Sequence, residues 1–155
     1  MAIKIILFIT LLMYAVVISQ SFFYILAMSV TLKKMRAQTY IETRNLLTTN
    51  LQAPLQIVYY TTLSASVLLT AFCVVNPGGL LFITSLIALV ALLADVVLAL
   101  KGNIPLNKFI NSWTSWDYPD NWQQYRAQWF NLYHIRQVLN ITGFISLLAG
   151  LIFGI

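Results

Sequence analysis

Three long stretches of this chain carry no charge, and that absence constrains the fold more than any motif. No Asp, Glu, Lys or Arg occurs at positions 5–32, 45–94 or 137–155. An uncharged apolar run of about 18 residues or more predicts a membrane-spanning helix, because about 20 residues at about 1.5 Å each cross a hydrocarbon core about 30 Å thick. Charged residues make up only 8% of the chain, whereas soluble domains carry about 25%. Lipid offers the backbone no hydrogen-bond partner, so the expected form is helix. The alternating ten-residue segments of a β-barrel are missing.

The predicted fold class is all-α: one integral membrane four-helix bundle over residues 1–155, with spans at about 5–32, 55–75, 80–100 and 137–153. Lys4 followed by apolar residues has the outline of a signal peptide. The run is too long and lacks a small-residue cleavage site, so it reads as a retained span. Cys73 is the only cysteine and the chain has one histidine, which leaves no disulfide framework and no Cys/His metal site within a single chain.

The net charge of +5 does not point to nucleic acid. All the basic residues except Lys4 lie in segments 33–44 and 101–136, beside the spans, and so report topology. Both segments fall on one side of a four-span bundle. By the positive-inside rule that side is cytoplasmic, and both termini and the turn at Asn76, Pro77, Gly78 and Gly79 lie outside. The expected location is a bacterial cytoplasmic (inner) membrane.

Local signals refine the picture. Thr39 with Glu42, and Asp120 with Gln123, have the spacing of capping boxes and predict helix starts at those points. Pro54 predicts a kink or break. Residues 103–121 read as a polar loop with Trp113 and Trp116 at interfacial depth, and from about 120 an aromatic, basic helix leads into span four. In span one Gln20 and Tyr24 share a face at i,i+4, where they either bond to another helix or line a polar cavity.

Chemistry-bearing residues are few. Asp95 lies inside span three, where a carboxylate needs a partner. Ala88, Ala91, Ala99 and Gly102 share its face and admit a close neighbour. Spans three and four are antiparallel, so Arg136 falls within its reach, with Asn140 as an alternative donor and Lys101 as a third partner. The group is either a buried pair fixing helix register or a functional carboxylate. His134 is either an interfacial side chain or an acid–base group. Trp122, Arg126, Trp129, Tyr133 and Arg136 recur at helical spacing as one stripe. That stripe is either a headgroup belt or the wall of a cavity for a flat aromatic or anionic molecule.

In order, Asn103, Pro105, Asn107, Pro119, Trp122, Arg126, Trp129, His134 and Arg136 form a pattern similar to that of the anthrone-oxygenase-like family of small four-span membrane proteins. The family pattern is Asn-x-Pro-(Leu/Ile)-Asn after the third span, then Trp-x(3)-Arg-x(2)-Trp, then His-x-Arg. The likeness covers residues from about 95 to 143, with Trp113 and Trp116 as additions in the loop. It implies oxidation of an anthrone to an anthraquinone by dioxygen, without metal or flavin and so with no cofactor. His134 would be the general base, Trp122 or Trp129 would hold the planar substrate, and Arg126 or Arg136 would stabilise the enolate oxygen. Asp95 is the remaining acid–base group. Tyr133, Asn103 and Asn107 complete the candidate substrate-binding set.

Two functional expectations result. One is a small-molecule site at the cytoplasmic end, with oxygenase-like chemistry on a lipophilic aromatic. The other is a non-catalytic membrane protein binding a lipid, a hydrophobic ligand or a partner protein. The expected partners are membrane lipid and a lipophilic small molecule, with no nucleic acid, and a homo-oligomer is compatible. A transporter would need an oligomer, since only one charge sits deep in a span.

Overall fold

In the computed structural model, which describes residues 2–154, the uncharged runs lie on four long helices. We label them α1 (Ala2–Lys34), α2 (Ala37–Cys73), α3 (Leu80–Asn111) and α4 (Trp122–Phe153). The described residues are otherwise turn and loop, with no strand, and each helix is long and apolar enough to cross a membrane. α1 packs on α2, α2 on α3, α3 on α4, and α4 closes the ring on α1. Short connections join successive helices, so neighbours are antiparallel.

Each helix has 32 or more residues and so extends about 48 Å or more, past a hydrocarbon core of about 30 Å. The outward surface is apolar: Phe8 is 67% exposed, Leu26 78% and Val138 64%. Water would not tolerate a belt of this size, whereas lipid matches it.

The interior has three layers. At the end bearing the termini, Leu7, Leu11, Tyr14, Leu69, Leu92 and Leu147 form an apolar core. Tyr14 donates to the Ala88 carbonyl (2.9 Å) and lies against Gly143, where an added Cβ would overlap its hydroxyl. At the opposite, basic end, Tyr24, Tyr40, Ile110, Trp113, Trp129 and Phe130 form an aromatic core. Between the two lies a polar layer containing Ser21, Asp95, Gln137 and Asn140, all buried.

Several local expectations are corrected. α2 does not start from a Thr39 capping box; it starts at Ala37, with Arg36 as N-cap and no side-chain cap bond. α1 runs on to Lys34, so the reversal occupies only Met35 and Arg36, both with extended backbone, and Thr39 already lies in the helix. Asp120 caps nothing either. α4 starts at Trp122 after Asn121, where Trp122 N–H bonds the Pro119 carbonyl and Gln124 N–H the Asn121 carbonyl. Pro54 does not interrupt α2.

The first half of the supposed loop at 103–121 is helix. α3 continues through one wide π turn, Ala99–Asn103, into a further stretch, Ile104–Asn111. Trp113 is buried in the aromatic core and packs on Tyr125 of α4, while Trp116 is 88% exposed.

Candidate functional site

α2 separates from the bundle along part of its length. From Asn45 to Thr61 none of its residues is buried, although Arg44 and Thr62 on either side are. The space left under this segment is a cavity of about 320 Å³, within the usual range of about 300–1,000 Å³ for a small-molecule site. α2 and α3 form its sides, and α4 and α1 its floor, with Trp129, Tyr133, Arg136, Gln20 and Tyr24 exposed to it.

Its two ends differ in chemistry. Toward the basic end the wall carries Arg44, Thr48, Gln52, Asn103, Asn107 and Asn111. Toward the membrane interior it carries Leu55, Tyr60, Leu63, Val96 and Leu100. The cavity is therefore most polar at its basic end and mainly apolar beyond it, with Gln56, Tyr59 and Arg136 as polar exceptions.

The inner end is closed by a charge pair. Arg136 Nε donates to Asp95 Oδ1 at 2.6 Å, and its Nη2 donates to Asp95 Oδ2 (3.4 Å) and to the Tyr59 hydroxyl (3.2 Å). Asn103 Oδ1 accepts from Nη1 at 3.4 Å. Asp95 is fully buried. The Asp95–Arg136 contact anticipated from helix register is thus present. Arg136 is the hydrogen-bond donor to both Asp95 oxygens, so Asn140 does not take its place, and Lys101 is exposed. Ala88 and Ala91 are buried on the same face, and Gly102 meets Leu132 of α4.

At the polar end one asparagine organises the wall. Asn107 Oδ1 accepts from the Trp129 indole N–H (2.7 Å) and from Arg44 Nη2 (2.6 Å). The Arg44 guanidinium carbon lies 4.2 Å from the centre of the Trp129 ring, a cation–π contact. Trp129 stacks on Tyr133 with centroids 4.9 Å apart and 14° between planes, and Tyr24 packs on both rings. Asn103 Nδ2 donates to the Trp129 carbonyl at 3.4 Å. The π turn changes the facing of α3 at this point, where Asn103 and Asn107 meet α4.

The remaining site candidates lie elsewhere. Arg126 donates to the carbonyls of Leu32 and Met35 (3.1 Å each) and stacks on Trp122 at 4.5 Å. This pair ties the end of α1 to α4 and does not line the cavity. His134 is exposed, does not line the cavity, and has Phe130 as its aromatic neighbour, 6.2 Å between centroids. Among the described residues no three His, Cys, Asp or Glu side chains come together as metal ligands would.

Among the cavity residues that escape a sequence-based choice of site are Arg44, Tyr59 and Gln52. A signal for the first two is present in the chain. Tyr40, Arg44, Thr48, Leu51, Leu55 and Tyr59 recur at spacings of three or four, one face of a helix that continues through Pro54. Comparison with protein families, with curated proteins and with solved structures finds no match.

Proposed function

We propose that this chain is an integral membrane protein that takes a lipophilic small molecule into the cavity between α2 and α3. The observation that carries this reading is the cavity itself, with its apolar length and its rigid aromatic floor of Trp129, Tyr133 and Tyr24. Few, fixed polar groups in a mainly apolar pocket are the usual composition of a ligand site. The basic end is cytoplasmic in this proposal, and the membrane is a bacterial inner membrane, as the positive-inside distribution implies.

Binding stands ahead of chemistry, because among the described residues no His, Asp, Glu, Cys or Ser lines the cavity. The oxygenase-like reading requires a base on the ligand. His134 would have to reach it from the exposed side of α4, or Asp95 would have to be released from Arg136.

Native mass spectrometry of the chain released from native membranes in nanodiscs tests the binding reading. One small lipophilic molecule should be retained per chain, and Leu55→Trp, which fills the cavity from α2, should abolish it. A wild-type chain without any adduct, or an adduct untouched by Leu55→Trp, overturns the proposal.

A further inference from the structure

Arg44 is the group that the charge pair at the far end of the cavity does not explain. It is 4% exposed, and among the described residues the one ion pair joins Arg136 to Asp95. The chain has four acidic residues: Glu42, Asp95, Asp117 and Asp120. Asp95 belongs to Arg136, Glu42 is exposed and accepts from Ser115, and Asp117 and Asp120 are exposed in the loop. Arg44 is thus a buried cation whose contacts are neutral, an amide oxygen and an indole face. Its Nε is buried with no acceptor. A guanidinium stays charged and tolerates weak hydration, but a buried cation normally has an anion opposite it.

The position of this cation specifies the missing anion. Arg44 stands at the polar end of the cavity, and from there the wall is mainly apolar, with Gln52, Gln56 and Tyr59 interspersed, as far as Leu63, 19 residues further along α2, or about 28 Å at helical rise. Asn107 and Trp129 hold the guanidinium in place, so little side-chain freedom is lost when an anion arrives. Lys108 borders the same end but is exposed, so its ammonium is free to stay hydrated. At the opposite end Arg136 is already neutralised by Asp95 and offers no competing charge. The cavity volume, about 320 Å³, is that of a site for one small molecule.

We propose that the ligand is a single-tailed amphiphile whose oxyanion head, a carboxylate or a phosphate monoester, pairs with Arg44 while its apolar tail runs toward Leu63. This rests on the cavity-binding reading above and adds the head-group chemistry. The ligand lies as a lipid of the adjoining leaflet lies, head at the basic end and tail toward the bilayer centre. Arg44 is therefore the specificity determinant, and the aromatic floor grips the tail whatever its head.

Titrating the full chain in nanodiscs with hexadecanoic acid, hexadecyl phosphate and 1-hexadecanol, read by native mass spectrometry above the acid's pKa, tests this. Either acid should bind at least about ten-fold more tightly than the alcohol, since a charge-assisted pair replaces a neutral contact. The better of the two acids separates a fatty-acid ligand from a phosphorylated lipid. Arg44→Gln should remove the preference while leaving alcohol binding in place, and Arg44→Lys should retain part of it.

Equal affinities of wild type for acid and alcohol overturn the oxyanion proposal but leave cavity binding standing. Failure of all three to bind at a site blocked by Leu55→Trp overturns both. Should Arg44→Gln not fold, the wild-type ratio of acid to alcohol decides alone.

Discussion

Asp95 illustrates how strongly one residue can constrain its surroundings. A carboxylate inside a membrane span demands a cation; the antiparallel register of the third and fourth spans brings up Arg136, and Lys101 lies six residues on in the same helix. The bond is there, at 2.6 Å, and Tyr59 and Asn103 complete the guanidinium's hydrogen bonding. Breaking one side of such a pair leaves an unmatched charge in a dry layer. Asp95→Ala and Arg136→Met should each lower the detergent melting temperature, by the equivalent of about 3–5 kcal/mol. The double variant should lose much less than the sum, because neither charge is then stranded. Additive losses would mean that the two residues stabilise the bundle independently. Arg44 is less legible. It shares a helical face with Tyr40, Thr48, Leu51, Leu55 and Tyr59, but it ends a charged segment, and such residues ordinarily face solvent or headgroups.

The elements show where local signals mislead. Lys101, Gly102 and Asn103 look like a helix end, and Thr39 and Asp120 look like caps, yet tertiary packing overrides all three. The bundle needs α3 to reach Asn111, because Leu106 and Ile110 fill the aromatic core, and the π turn absorbs the change of facing. α2 carries the opposite lesson. The apolar count of residues 55–75 identifies the span correctly as helix, but the segment from Asn45 to Thr61 contributes no buried residue and serves as a cavity wall. Pro54 sits in that wall, exposed, where it cannot donate to the Asn50 carbonyl. Pro54→Ala restores that bond, and the intrinsic cost of an interior proline is up to about 3 kcal/mol. Circular dichroism on heating should therefore show a higher melting temperature. A lower one would mean that the bundle depends on the bend that proline favours.

At the scale of the whole molecule, the arrangement is legible in the sequence because lipid leaves few alternatives: four long apolar segments, short turns, one ring of antiparallel helices. The cavity is not, since it comes from a gap between two helices and leaves no trace in composition. What connects the two is charge asymmetry. Lys33, Lys34, Arg36, Arg44, Lys101, Lys108 and Arg126 all lie at or near one end, against Lys4 at the other. In the proposed orientation, which follows the positive-inside rule, that end faces the cytoplasm. The same asymmetry decides which leaflet meets the polar end of the cavity, so the topology and the ligand's source are one question. In a Cys73→Ala background, Asn76→Cys and Ser112→Cys occupy exposed positions at opposite ends of the bundle. A membrane-impermeant maleimide applied to intact cells should label Asn76→Cys at once, and Ser112→Cys only after permeabilisation. The reverse pattern would turn Arg44 toward the outer leaflet. An oxyanion ligand would then be drawn from the outer leaflet, although the pairing chemistry at Arg44 would be unchanged.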